Sequence, residues 1–97
     1  MRRVAFADKT LEALESEDDP AFSDAVIRAF RIRMQSIRAA RDEREFYALK
    51  SLHFEKLQGN RSHQHSMRLN KQYRLILEFQ GEAEDKTVVI VGIEDYH

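Results

Sequence analysis

A chain of 97 residues, 42% of them hydrophobic and 34% charged, is long enough for one domain around one core. It has no cysteine, which excludes a disulfide scaffold and a thiolate metal site and fits a reducing cytosol. Its formal net charge of −1 argues against a nucleic-acid partner only at first sight. Residues 1–20 hold three basic and six acidic groups, residues 21–80 twelve and six, and residues 81–97 one and five. The local field of the basic centre, not the total, steers a charged partner.

The run Val4-Ala5-Phe6-Ala7-Asp8 is too short for a signal peptide, and no later segment is apolar enough to span a bilayer. A soluble, cytoplasmic protein with no membrane partner is expected. Arg3 to Ala7 alternates weakly and predicts a first strand. Lys9 to Glu15 places Leu11 and Leu14 at helical spacing and predicts a small helix. Asp18-Asp19-Pro20 interrupts it, with Asp19 expected to cap the next helix and Pro20 to occupy its first turn. In that helix Phe22, Val26, Ala29, Phe30, Met34 and Ile37 recur mostly at three- and four-residue steps up to about Ala40. Its other face carries Arg28, Arg31, Arg33 and Arg38, either a second nucleic-acid contact or the ordinary solvated side of an amphipathic helix.

Arg41 to Glu45 is a charge-mixed connector into Phe46, Tyr47, Leu49 and Leu52, a short helix or irregular packing segment. His53 follows, and Phe54 and Leu57 are expected to pin this part to the core, leaving Gln58 to Ser62 as an exposed loop. From Lys56 to Arg74 the text reads KLQGNRSHQHSMRLNKQYR, with Lys56, Arg61, Arg68, Lys71 and Arg74 and no acid. Gly59-Asn60 is a turn signal, Ser66 to Asn70 alternates, and Tyr73, Leu75, Leu77 and Phe79 alternate again after the bend at Asn70-Lys71-Gln72. The pattern predicts a β-hairpin with Met67 and Leu69 buried and Ser66, Arg68 and Asn70 on the opposite face. Arg68 and Arg74 then project from one sheet face, joined by the loop cations Arg61 and Lys56. Guanidinium groups so placed suit phosphate, because each donates two parallel charge-assisted hydrogen bonds. The charges alone fit a merely solvated hairpin face equally well.

His63 and His65 stand at i and i+2, the spacing that shares one face of a strand. With no cysteine or carboxylate nearby they read as RNA contacts or exposed residues rather than metal ligands. Gly81 to Lys86 is an acidic turn. Thr87-Val88-Val89-Ile90-Val91, followed by Ile93, predicts an interior strand buried on both faces. The order predicts an α+β fold, a mainly antiparallel sheet of about four strands with two to three helices packed on one face. The closing Asp95-Tyr96-His97 offers a carboxylate, a phenol and an imidazole at the end of that strand. If the strand ends beside the hairpin, these groups meet Arg68 and Arg74. Imidazole moves protons near neutral pH and arginine stabilises a pentacoordinate phosphoryl transition state, a sufficient kit for attack by an RNA 2′-hydroxyl without a metal or other cofactor.

Taken together, Phe54-Glu55-Lys56-Leu57-Gln58-Gly59-Asn60-Arg61, Ser66-Met67-Arg68-Leu69-Asn70, Gln72-Tyr73-Arg74 and the ending Glu94-Asp95-Tyr96-His97 resemble the HigB branch of the RelE/ParE toxin superfamily. The resemblance covers essentially the whole chain. It implies a RelE-like fold and a bacterial type II toxin that enters the A site of the small ribosomal subunit and cleaves mRNA there. It also implies a partner, a helix-turn-helix antitoxin of the HigA kind. By the same resemblance Arg68 and Arg74 are the phosphate and transition-state cations, Asp95, Tyr96 and His97 the acid/base group, and His53 the loop histidine. Lys56, Arg61, Asn70 and Lys71 are the accompanying RNA contacts. Gln58 departs from the lysine common before the glycine, which implies either that Lys56 or Arg61 supplies the charge or that activity is weaker. Two other readings stay open: a gyrase inhibitor of the ParE kind, and an inactive antitoxin-binding module.

Overall fold

The computed structural model describes residues 3–82 and 85–95. It begins with strand β1 (Arg3–Phe6) and helix α1 (Lys9–Leu14). Asp8 starts that helix by accepting a hydrogen bond from the Thr10 amide at 2.8 Å, and Leu11 and Leu14 form its buried side. Helix α2 (Asp24–Ala39) is the long one, and it buries Val26, Ile27, Phe30, Met34 and Ile37 along a single stripe. Burying each such side chain fully contributes roughly 1.5–3 kcal/mol. Its cap differs from the expected one. Ser23, not Asp19, accepts the first free amide, that of Val26 at 3.2 Å. Asp19 instead closes a separate turn over Pro20, accepting from the Ala21 amide at 2.9 Å, so the helix begins four residues after Pro20.

The arginine stripe of α2 is mostly a set of fasteners. Arg31 donates to the Leu14 carbonyl at 3.0 Å and to Asp18 at 3.2 Å, and Arg38 grips both Glu15 oxygens at 3.0 and 2.6 Å. Both tie α2 to the end of α1. Arg33 reaches across to the carbonyl of Arg68 at 2.8 Å, and Arg28 is exposed. Helix α3 (Arg44–Ala48) buries Phe46, and a 3-10 turn (Lys50–Leu52) buries Leu52.

The sheet has five strands in the order β1-β5-β4-β3-β2. Here β2 is Glu55–Lys56, β3 Gln64–Arg68, β4 Tyr73–Gln80 and β5 Thr87–Asp95. The extra strand relative to expectation is β2, a two-residue edge too short to leave a sequence pattern. Among the described residues, β1 runs parallel to its neighbour β5 and the other strand pairs are antiparallel. As expected, β5 is interior. Its burial is one-sided, however: Val88 and Ile90 are buried, whereas Thr87, Val89 and Val91 are half-buried. The β-branched run reflects preference for a pleated surface as much as burial.

The buried residues of the helices form one cluster with Met67, Leu69, Leu75, Leu77, Val88 and Ile90. Those strand positions define the covered face. Ile76 is also fully buried but belongs to the opposite face, between its register neighbours Ser66 and Gly92. No helix among the described residues is long and apolar enough to cross a membrane.

Candidate functional site

The opposite face is built by register. Arg68 on β3 lies directly across from Arg74 on β4, and Arg74 lies across from Glu94 on β5, so the three form one row. Neighbouring strands are about 4.8 Å apart, which brings two like charges close together unless an anion intervenes. Here the anion is Glu94, and a β-bulge brings it there. Ile76 pairs with Gly92 but Leu77 pairs with Ile90, so Val91 is an extra residue on β5. Counting by twos from the buried Val88 and Ile90 would put Glu94 on the helix side. The bulge inverts the alternation, turning Glu94 toward the arginines and Ile93 toward the core.

Arg61 completes the cluster. It ends a 3-10 turn (Gly59–Arg61) that opens at Gly59 with φ +65°, a left-handed conformation that glycine adopts without a Cβ penalty. From there its guanidinium donates to both Glu94 oxygens, at 2.9 and 2.6 Å, and to the side-chain oxygen of Gln64 at 2.9 Å. The Arg74 Nη2 lies 3.7 Å from the same carboxylate. The Arg61 hydrogen bond and the charge of both arginines hold the Glu94 carboxyl below the usual carboxylate range, and Glu94 raises Arg61. Beside them, Gln64 donates to Glu78 at 2.9 Å, and His63 stands 3.8 Å from Glu78. Around Glu94 three guanidinium groups meet one carboxylate, so this row can take an anion with paired oxygens, while Glu78 and, across from Ser66, Glu55 add negative charge further along the same face.

The expected site residues divide by position. Arg68, Arg74 and Arg61 come together as described. Arg68 donates through Nε to the Asn70 carbonyl at 3.2 Å, which steadies its base. Asn70 uses its side-chain oxygen to accept the amides of Gln72 and Tyr73, at 2.9 and 2.7 Å, so it shapes the hairpin bend. Lys71 is exposed at that bend. His53 also lies toward this end of the sheet, because β2 runs antiparallel to β3 and His53 precedes the Glu55–Ser66 pair. It is exposed and holds φ +46°, ψ +46°, an uncommon conformation for a residue with a Cβ.

Lys56 is not a loop cation on the arginine face. It sits on β2 opposite His65, at a register position on the helix-side face. Asp95 pairs with Tyr73, and its Oδ2 accepts from the Gln72 side-chain Nε2 at 3.2 Å. The bulge thus gives Glu94 the place beside Arg74 that was expected for Asp95. Tyr96 and His97 lie outside the described residues. His63 and His65 do not share a face. His63 precedes β3 and approaches Glu78, whereas the His65 ring stacks on Phe54 at 5.0 Å and meets Phe79 edge-on at 5.2 Å. Burial among these rings pushes the His65 imidazole below its ordinary value.

Glu94 is the member of the cluster that sequence reasoning passed over. Its one signal was Gly92, since glycine inside a strand often marks a bulge.

Comparison with known proteins agrees with this architecture. A solved structure of a YoeB/ParE toxin from Agrobacterium tumefaciens is similar over 98% of this chain and 99% of its own, with a TM-score of 0.64 at 9% identity, a likeness of fold. No curated protein sequence matches the chain. The family model of HigB-like toxins, described as the RelE-like toxin of the type II toxin-antitoxin system HigB, matches residues 4–97. The chain therefore belongs to the HigB-like family of RelE-like toxins of type II toxin-antitoxin systems.

Proposed function

We propose that this toxin is a ribosome-dependent endoribonuclease that cleaves mRNA in the A site by attack of the RNA 2′-hydroxyl, without a metal. The observation that carries the reading is the register row of Arg68 and Arg74, with Arg61 joined to it through Glu94, on the uncovered face of the sheet. In this reading Arg68 and Arg74 clamp the scissile phosphate and stabilise the extra negative charge of the transition state. The 2′-oxygen bonds to phosphorus and gives up its proton, while the bond to the 5′-oxygen breaks and that oxygen gains one. The products are a 2′,3′-cyclic phosphate and a 5′-hydroxyl. His97 is the proton-transfer group, Asp95 orients it, and Tyr96 stacks on a base or hydrogen-bonds phosphate. His53, near the Arg68 end of the sheet, is a second proton-transfer group, and Lys71 at the exposed bend meets the backbone of the RNA.

The partner in the free cell is a helix-turn-helix antitoxin, and the working compartment is the cytoplasm. The test is translation of a reporter mRNA with purified protein, followed by mapping of transcript ends. Codon-phased cuts that disappear in His97→Ala and in Arg74→Ala are expected. Inhibition of gyrase supercoiling without cleavage would move the protein to the ParE kind. Neither activity would leave an antitoxin-binding module.

A further inference from the structure

Glu94 is an acid placed between Arg61 and Arg74, and neither phosphate binding nor proton transfer as proposed above uses it. We infer that the Glu94 carboxylate occupies a phosphodiester subsite formed by Arg61 and Arg74, and that an RNA backbone enters by displacing it. The inference rests on the RNA reading and gives that site its resident competitor. The geometry carries it. Both Glu94 oxygens meet the Arg61 fork, at 2.9 and 2.6 Å, and Arg74 approaches one of them at 3.7 Å. A phosphodiester presents its two non-bridging oxygens with the same charge and nearly the same spacing, so the two anions compete for one place.

Glu94 can be displaced because the pair is not sealed. The side chains of Arg61 and Glu94 are each 37% exposed, so water screens the pair and an incoming anion can reach it. The strand that carries Glu94 does not depend on it, since the β4–β5 ladder continues on both sides of the position. A phosphate also gains something Glu94 lacks. Lying above the sheet, it reaches toward Arg68, the register neighbour of Arg74, whereas Glu94 lies on the far side of Arg74. In the free protein the carboxylate offsets repulsion among the arginines, and it lowers affinity for RNA in bulk solution. RNA held in place by a larger assembly overcomes that handicap through its high effective concentration.

The test uses the full chain and a 2′-O-methyl trinucleotide, which binds like RNA but has no free 2′-hydroxyl to attack. Glu94→Gln is expected to bind it roughly three- to tenfold tighter than the wild type, the change that loss of one partly exposed ion pair allows. In the wild type itself, the Glu94 carboxyl carbon and the Arg61 Nη–H groups are expected to shift together in NMR spectra as the trinucleotide is added. Equal or weaker binding by Glu94→Gln overturns the inference, as does a Glu94 resonance that stays fixed while Arg74 responds. If A-site cleavage is present and Glu94→Gln gains no affinity, the inference alone falls. If neither protein binds and no transcript is cut, the RNA reading falls with it.

Discussion

The two faces of one sheet obey different rules. On the helix side Leu75, Leu77, Val88 and Ile90 are fully buried and join the residues of α1, α2 and α3 in a single cluster. One residue away along β4, Arg74 and Glu78 stay partly open, in a network of charge with Arg61, Gln64 and Glu94. Apolar packing therefore resides mainly on one side and charge on the other. Mutations at neighbouring positions should separate the two properties.

The largest break in that division is expected from Leu77→Ala, which removes a fully buried side chain from the covered face. It should cost about 3 kcal/mol and lower the melting temperature by more than about 10 °C, measured by circular dichroism. A loss below about 1 kcal/mol would mean that the core does not rest on this strand. Next comes Arg74→Ala, for which transcript cleavage should fall by about a hundredfold while melting shifts much less than in Leu77→Ala. Cleavage at wild-type rate in Arg74→Ala would dissociate the basic face from catalysis.

Gly59→Ala is a smaller and more local perturbation. There is open space around the Cβ it would add, so its cost is only that of φ +65°, about 1 kcal/mol in a denaturant titration. Because that turn presents Arg61, RNA affinity should also drop. Stability unchanged by the alanine would show that the left-handed turn is not required.

The smallest effect concerns pH. Burial holds the His65 imidazole below its ordinary value, so the unfolded chain takes up its proton first as pH falls. Its contribution is complete above about pH 6.5 and declines as pH drops through the lower, folded-state value. Glu94 has a depressed carboxyl, so its contribution is present above the unfolded carboxylate range and is lost only at more acid pH. His65→Phe should flatten the slope of stability just below about pH 6.5, and an unaltered slope would place the titration elsewhere.

Much of this was legible in the chain. The stripe Val26, Phe30, Met34 and Ile37 marked α2, and the alternation of Met67, Leu69, Tyr73, Leu75 and Leu77 marked the hairpin with Arg68 and Arg74 on one face. These features are local, set by the helical and strand periods and by which residues avoid water. The start of α2 was harder to read, because Asp19 and Ser23 both suit a helix cap and only the path over Pro20 chooses between them. Lys56 was misplaced because β2 is too short to show a period of its own, and the pairing of His63 with His65 failed because β3 begins only at Gln64.

By itself, the sequence determined the fold class, the family motifs and the two arginines that share a sheet face, since each depends on contacts between near neighbours or on residue identity. Tertiary structure decided which acid stands beside those arginines. A single extra residue at Val91 reverses the facing of everything after it on β5, because side chains alternate with a period of two. That reversal exchanges Asp95 for Glu94, and only the pairing of β5 with β4 fixes where it happens.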